Sequence, residues 1–265
     1  MTLTLDSPKL QIVDGNNLVL GRLFRSPEPT TGLRPLLDEV RRCAPYPPII
    51  VFDGAYSRAR RQELFPDYKR TRAPLSEDIT PAFQLVQELL AFTPAIVVRV
   101  PGWEGDDVIA TLAREAAARK QPVRVVSEDR DFAQLATDSM IEVSCPLVGV
   151  EAAHVHAYKA TVGDPADGVK GLKSFGKIAW TRSNRDALAQ FLEDYEGDVP
   201  STGVPRELNL PLAAVDWWRA NPAKMRTAWA VTALWEVPQD EMLGNVRTGS
   251  DRPDILEILL RNHFL

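Results

Sequence analysis

LQIVDG at residues 10–15 and IIVFDG at residues 49–54 are short apolar runs that each end in Asp-Gly. Runs of this length, rich in β-branched residues and lacking polar alternation, read as strands covered on both faces, the mark of a parallel sheet. Working outward, Ile96–Val100 and Val123–Ser127 repeat the pattern, and Ile141–Val143 adds a weaker fifth strand. Between them, Ile79–Phe92 and Asp107–Arg119 carry apolar residues at helical spacing, with Ile109, Leu112, Ala113 and Ala116 forming the stripe in the second. Helices alternating with buried strands define an α/β class: a mostly parallel central sheet with helices on both faces. After about Cys145 no convincing strand is expected, only helices broken by Gly and Pro. Gly197–Pro205 reads as an exposed loop, Val215–Trp235 as helical and Asp254–Leu265 as a closing amphipathic helix.

In an open parallel sheet, ligands bind beyond the carboxyl ends of the strands. Acidic residues recur there. Asp14 and Asp53 follow the first two strands directly, Glu104, Asp106 and Asp107 follow the third within a turn, and Asp129 and Asp131 follow the fourth. Taken singly, Asp-Gly is a turn pair, and acids opening a helix favour its dipole. Recurrence after every main strand is different, because seven like charges gathered on one edge need a counter-ion. Carboxylates without His or Cys select hard cations, Mg²⁺ or Mn²⁺, over zinc. Two such ions would suit in-line phosphoryl displacement, with no protein general base evident. His154 and His156 fit no ligand cluster and are expected at the solvent surface. Cys43 and Cys145 read as packing thiols, and Trp217, Trp218, Trp229 and Trp235 as core.

The chain has 265 residues, 45% of them hydrophobic and 25% charged, which excludes a disordered or coiled-coil molecule. No apolar run approaches the roughly 20 residues of a bilayer span, and Met1–Lys9 lacks a signal pattern, so a soluble, cytoplasmic protein is expected, with no membrane partner. The formal net charge is −5, but Arg58, Arg60, Arg61, Lys69, Arg70 and Arg72 stand against only Glu63 and Asp67 in one 15-residue stretch. Arg58, Arg61, Gln62 and Phe65 share one helical face there, setting charge beside an aromatic ring, as single-strand binding requires.

In order along the chain, QIVDGNN, VFDGAYSRARRQELFPDYKRTRAP, GWEGDDVIATLA, VVSEDRDFAQL and GDPADGVKGLKSFGK resemble the successive motifs of the 5′-nucleases, the flap endonuclease/5′ to 3′ exonuclease family that includes the 5′-nuclease domain of bacterial DNA polymerase I and free-standing bacterial and phage homologues. The resemblance implies a PIN-like nuclease core over 1–145, with a helical arch at about 54–92. It implies a helix-hairpin-helix region and C-terminal helices over 146–265, packed with the core as one nuclease unit. It also implies two metal clusters: Asp14, Asp53, Glu104, Asp106 and Asp107 in the first, and Asp129, Asp131, Asp164 and Asp167 in the second. Removing those nine negative charges from −5 leaves +4, a mildly basic remainder.

By the same resemblance Arg61, Lys69 and Arg72 act on the scissile phosphate or the threaded strand. DNA contacts are expected from Arg58, Arg61, Phe65, Lys69 and Arg72 in the arch, and from Lys170, Gly171, Lys173, Gly176 and Lys177 in the hairpin, where a K⁺ ion would also sit. The second hairpin reads Ser174-Phe175-Gly176 where the family shows Gly-hydrophobic-Gly. The implied activity is divalent-metal-dependent, structure-specific cleavage of DNA at 5′ flaps, ends or junctions, in replication and repair, with RNA–DNA primers among the substrates. The expected enzyme is a monomer, nucleoid-associated and free-standing, since no polymerase-like stretch follows. A PIN-type ribonuclease and a non-catalytic structure-specific DNA-binding module are the alternatives.

Overall fold

Six strands form the sheet of this computed structural model: β1 Leu10–Asp14, β2 Ile49–Val51, β3 Ile96–Val98, β4 Val123–Val126, β5 Ile141–Val143 and β6 Val246–Thr248. The helices are α1 Gly15–Leu23, α2 Pro29–Cys43, α3 Ala59–Leu64, α4 Ile79–Leu89, α5 Gly105–Ala118, α6 Val155–Val162, α7 Lys177–Arg182, α8 Arg185–Tyr195, α9 Leu212–Ala220, α10 Pro222–Thr232 and α11 Gln239–Leu243. The structure describes residues 9–145 and 149–256. The expected C-terminal helix therefore lies, beyond its first residues, outside them. No helix among the described residues is long and apolar enough to cross a membrane.

The strand order is β5-β4-β1-β2-β3-β6, parallel throughout except for β6, which runs antiparallel to β3. Ile12 pairs with Ile49 and Val125, and Ile49 with Ile96, so the apolar runs lie in register. Their side chains are buried on both faces, as continuous apolar strands require. β6 corrects the expectation that no strand follows Cys145. Its three residues are exposed and only Val246 is apolar, so nothing but pairing with β3 makes Val-Arg-Thr a strand.

The described residues divide into two compact units: 9–57, 74–145 and 235–256 form the first, 58–73 and 149–234 the second. One junction falls between the described residues 145 and 149. The other three follow from tertiary bonds. Residues after 235 return to the first unit because the Trp235 N–H donates to Asp107 Oδ1 at 2.8 Å, the Val237 N–H donates to Thr111 Oγ1 at 2.9 Å, and β6 joins the sheet. Residues 58–73 belong with the second because Arg61 donates to the carbonyls of Val231 and Ala233, and Tyr68 packs with Val169 and Val231. The 54–92 segment expected as an arch is thus divided. Its second half includes α4, whose Ile79, Ala82, Val86 and Leu89 lie in the first unit's core.

In that first unit the loops after β2 and β3 are clasped: the Gly54 N–H donates to Trp103 O at 3.0 Å and the Gly102 N–H to Ala55 O at 2.7 Å. A Cβ on Gly54 would stand 1.7 Å from Val100 O. Close approach, rather than a turn, therefore explains the glycine after Asp53. Gly54→Ala should destabilise the protein by about 3 kcal/mol or more, because backbone on both sides resists movement. Urea denaturation checks this, and a loss below about 1 kcal/mol would show that the clasp yields.

Candidate metal centre

In the first unit, three of the strand-end acids, Asp14, Asp53 and Asp129, each accept a backbone N–H. Asp14 ends β1 as the N-cap of α1, accepting the Asn17 N–H at 2.9 Å and the Ser127 hydroxyl at 2.7 Å. Asp53 follows β2 and accepts the Gly105 N–H at 2.7 Å, so it caps the first turn of α5 from a different loop; Asn16 Nδ2 holds its other oxygen at 2.7 Å. Asp129 accepts the Asp131 N–H at 2.9 Å at the start of a short 3₁₀ turn. Helix starts present unpaired N–H groups and partial positive charge, which is why acids settle there.

Asp106, Asp129 and Asp131 come together: each offers a carboxylate oxygen, and the three oxygens lie within 4.8 Å of one another. All three side chains are half-buried, and neither His nor Cys belongs to the group. The set therefore fits a hard divalent cation. Asp14 shows the electrostatic cost of the cluster. Burial, reinforced by the negative charges of Asp53 and Asp129, pushes its carboxyl up to about 7 despite the opposing bonds from Asn17 and Ser127. Glu104 is buried at the N-cap of α5. Asp107, 1% exposed, turns Oδ1 to the Trp235 N–H and lies outside the three-acid group.

The pattern of acids does not reveal Asn16 and Ser127. Asn16 both donates to Asp53 and accepts its N–H at 3.1 Å. The Ser127 hydroxyl accepts the Asp129 N–H at 3.0 Å while donating to Asp14, linking two acids through one side chain.

The second unit holds Asp164 and Asp167 in a tight turn closed by paired backbone bonds of 2.8 Å between Asp164 and Val169. Buried Lys159 lies 2.9 Å from Asp164 and 3.5 Å from Asp167, and Lys69 and Arg72 stand 3.8 and 3.6 Å from Asp167. Burial alone would raise the Asp164 carboxyl, but the Lys159 ammonium and nearby N–H groups hold it below its ordinary value. Lys69 Nζ also sits 4.9 Å above the Tyr68 ring. Lys159 carried no signal in the sequence, since a single lysine at helical spacing reads as surface.

Arg61 does not line an open surface. It is 4% exposed, its Nε donating to Val231 O at 3.1 Å and its Nη2 to Ala233 O at 2.7 Å, so it caps the C-terminus of α10. Arg58 and Phe65 are half-buried and Arg72 is exposed. Lys170, Lys173 and Lys177 are exposed in the α6–loop–α7 segment. Gly171, at φ +68, has its close approach within the chain: a Cβ there would stand 2.4 Å from Thr161 O. Gly176 is open.

Ser174, where a glycine was expected, is held at φ +59. The surface expectation fails for His154, and His156 is half-buried. His154 is buried and bonds Asp186 at 2.8 Å, while His156 stacks on Trp229 with centroids 3.5 Å apart. Packing against aromatics overrode the polarity of both rings.

A family model described as "5'-3' exonuclease, N-terminal resolvase-like domain" matches residues 9–162. A 5'-3' exonuclease of Aquifex aeolicus is 27% identical over 63% of this chain and 65% of its own length. A thermostable DNA polymerase I of Thermus thermophilus is 33% identical over 52% of this chain but 18% of its own length. The chain thus spans less than two thirds of either relative. Among solved structures, the T5 D15 protein co-crystallised with metal ions aligns with a TM-score of 0.64 at 19% identity, covering 94% of this chain and 99% of that one. The catalytic core of Rad2 in complex with DNA substrate aligns at 0.58 and 16% identity, covering 97% and 87%. At these identities the likeness establishes the fold.

Two measurements check this geometry. The folded value of about 7 for Asp14, against an ordinary 3.8, means the folded chain keeps a proton that the unfolded chain releases. Stability in chelator should therefore fall as pH rises from about 4 to 7. Asp14→Asn should flatten that slope, and an identical slope in both proteins would refute the assignment. At position 174, a left-handed backbone costs a side-chain-bearing residue about 1–2 kcal/mol. Ser174→Gly should gain about 0.5–1 kcal/mol, and Ser174→Val should lose a similar amount, in chemical denaturation.

Proposed function

The chain belongs to the 5'-3' exonuclease family defined by the N-terminal resolvase-like domain, and from that premise we propose that it is a divalent-metal-dependent, structure-specific 5′-nuclease acting on DNA. The observation that carries this reading is the gathering of Asp106, Asp129 and Asp131 beyond the carboxyl ends of the strands, without His or Cys. Two hard divalent ions, Mg²⁺ or Mn²⁺, would supply water activation and stabilisation of the leaving oxygen for in-line cleavage, giving a 5′-phosphate and a 3′-hydroxyl.

The protein's own groups do the rest. Asp106, Asp129 and Asp131 provide ligand oxygens, Asp14 and Asp53 add negative charge beside them, and Ser127 and Asn16 keep those carboxylates oriented. Asp164 and Asp167 belong to the proposed ligand set and meanwhile hold Lys69, Lys159 and Arg72 in place. Those cations are suited to receive phosphate oxygens, where a preorganised positive charge lowers the barrier as negative charge develops. Arg61 acts through position, fixing the segment that carries Lys69. Exposed Lys170, Lys173 and Lys177 would contact the sugar-phosphate backbone without reading sequence, and a K⁺ ion at the α6–α7 loop is part of the same reading. Substrates are DNA 5′ flaps, ends and junctions, with RNA–DNA primers included.

Product mapping on flap, gapped and blunt DNA with Mg²⁺ or Mn²⁺, alongside single-stranded RNA, tests the assignment. Wild-type protein should cut the flap near its junction. Asp129→Asn should lower the single-turnover rate at least about 10²-fold while DNA binding in chelator persists. Lys69→Ala should cost about 10²- to 10³-fold at saturating enzyme. Near-wild-type cutting by Asp129→Asn, or preferential cleavage of RNA, would sink the proposal.

A further inference from the structure

The second unit contains a cavity of about 500 Å³ whose rim includes Lys170 but whose interior has no role in the reading above. Its size falls within the roughly 300–1,000 Å³ of small-ligand sites. Phe65, Val169, Trp217 and Met225 give it a mostly apolar lining, and Lys170 and Lys224 contribute ammonium groups.

The aromatic inventory of the described second unit singles this cavity out. Tyr68 meets Arg61 and Lys69; Tyr158 and Phe175 pack edge-on against Trp180; Phe191 contacts Tyr195 and Trp218; Trp229 stacks on His156. Phe65 and Trp217 have no ring or cation partner among the described residues, and both line the cavity. Both are half-buried, so ring surface remains available.

The charges agree. The acid of the lining, Asp67, accepts from Arg70 at 3.1 Å, whereas Lys170 and Lys224 are exposed with no ion-pair partner among the described residues. Gly168, at φ +81, brings the 168–171 loop so close that a Cβ would stand 2.8 Å from Asp67 O. One wall of the cavity is therefore set by backbone and is preorganised.

We propose that this cavity receives one unstacked base of the substrate's single strand, with Phe65 and Trp217 contacting the base and Lys170 and Lys224 the flanking phosphates. The proposal rests on the reading of the chain as an enzyme acting on DNA. An apolar peptide segment would fill the volume but leave both ammonium groups unmatched, whereas a nucleotide joins a flat, sequence-independent π-face to an anion.

The test uses a 5′-flap duplex carrying 2-aminopurine at successive single-stranded positions, titrated with the full chain in EDTA. One position should show strong fluorescence quenching on binding. Trp217→Leu should abolish that quenching and weaken binding about five- to hundredfold, the range for loss of one stacked base. Lys224→Glu, at an exposed position where folding is not at stake, should weaken binding and reduce the salt slope by about 1 or more. Thermal melting verifies that Trp217→Leu is folded, and Lys224→Glu decides the matter if it is not. DNA binding that persists without position-specific quenching, or quenching and affinity unchanged in both variants, would overturn the pocket while leaving the nuclease reading intact. A wild-type chain that neither binds the flap nor cuts it with Mg²⁺ would overturn both.

Discussion

Asp14 on the Asn17 N–H, Asp53 on the Gly105 N–H and Asp129 on the Asp131 N–H repeat one arrangement, in which a carboxylate just past a parallel strand rests on the start of a helix or 3₁₀ turn. The rest of the first unit follows from it. Helix starts lie at the strand ends because parallel strands require crossovers, and the unpaired N–H groups there attract anions. The same geometry makes an acidic cluster tolerable and keeps its oxygens convergent. The tolerance is incomplete, since Asp14 retains a raised affinity for its proton. Burial is the main cause, and the smaller share due to the charges of Asp53 and Asp129 is what a divalent cation would relieve.

The second unit solves a similar problem by other means. Asp164 and Asp167 have no strand end behind them; a turn closed by the Asp164–Val169 bonds presents them, and Lys159, Lys69 and Arg72 compensate them. Buried ion pairs of this kind gain little net stability after desolvation, so their retention is better understood as positioning. The Arg61 guanidinium on the α10 carbonyls and the packing of Tyr68 against Val169 and Val231 hold the basic segment onto the unit that contains this turn.

Local charge reconciles the −5 net charge with the proposed polyanionic substrate. Six Lys and Arg residues stand against two acids in the 58–72 segment, and Lys170, Lys173 and Lys177 follow one another in the 170–177 stretch. Phosphate affinity depends on this local distribution more than on the total.

Much of the first unit was legible in the chain itself. Short apolar runs have no stable alternative to burial, so LQIVDG and IIVFDG already specified parallel strands, and the acid after each run had to lie at the edge where those strands end. Motif order carried the family. Contacts between distant residues were not legible, because they depend on which backbone groups folding leaves unpaired. Arg61 sat in a basic run like its neighbours, yet the free carbonyls at the end of α10 claimed it. Asp107 matched its neighbour Asp106 in type, but helical geometry turned it toward the Trp235 N–H. Lys159, Ser127 and β6 likewise acquired their roles from partners far away in sequence, and hydrogen-bond satisfaction across such separations has no local pattern to announce it.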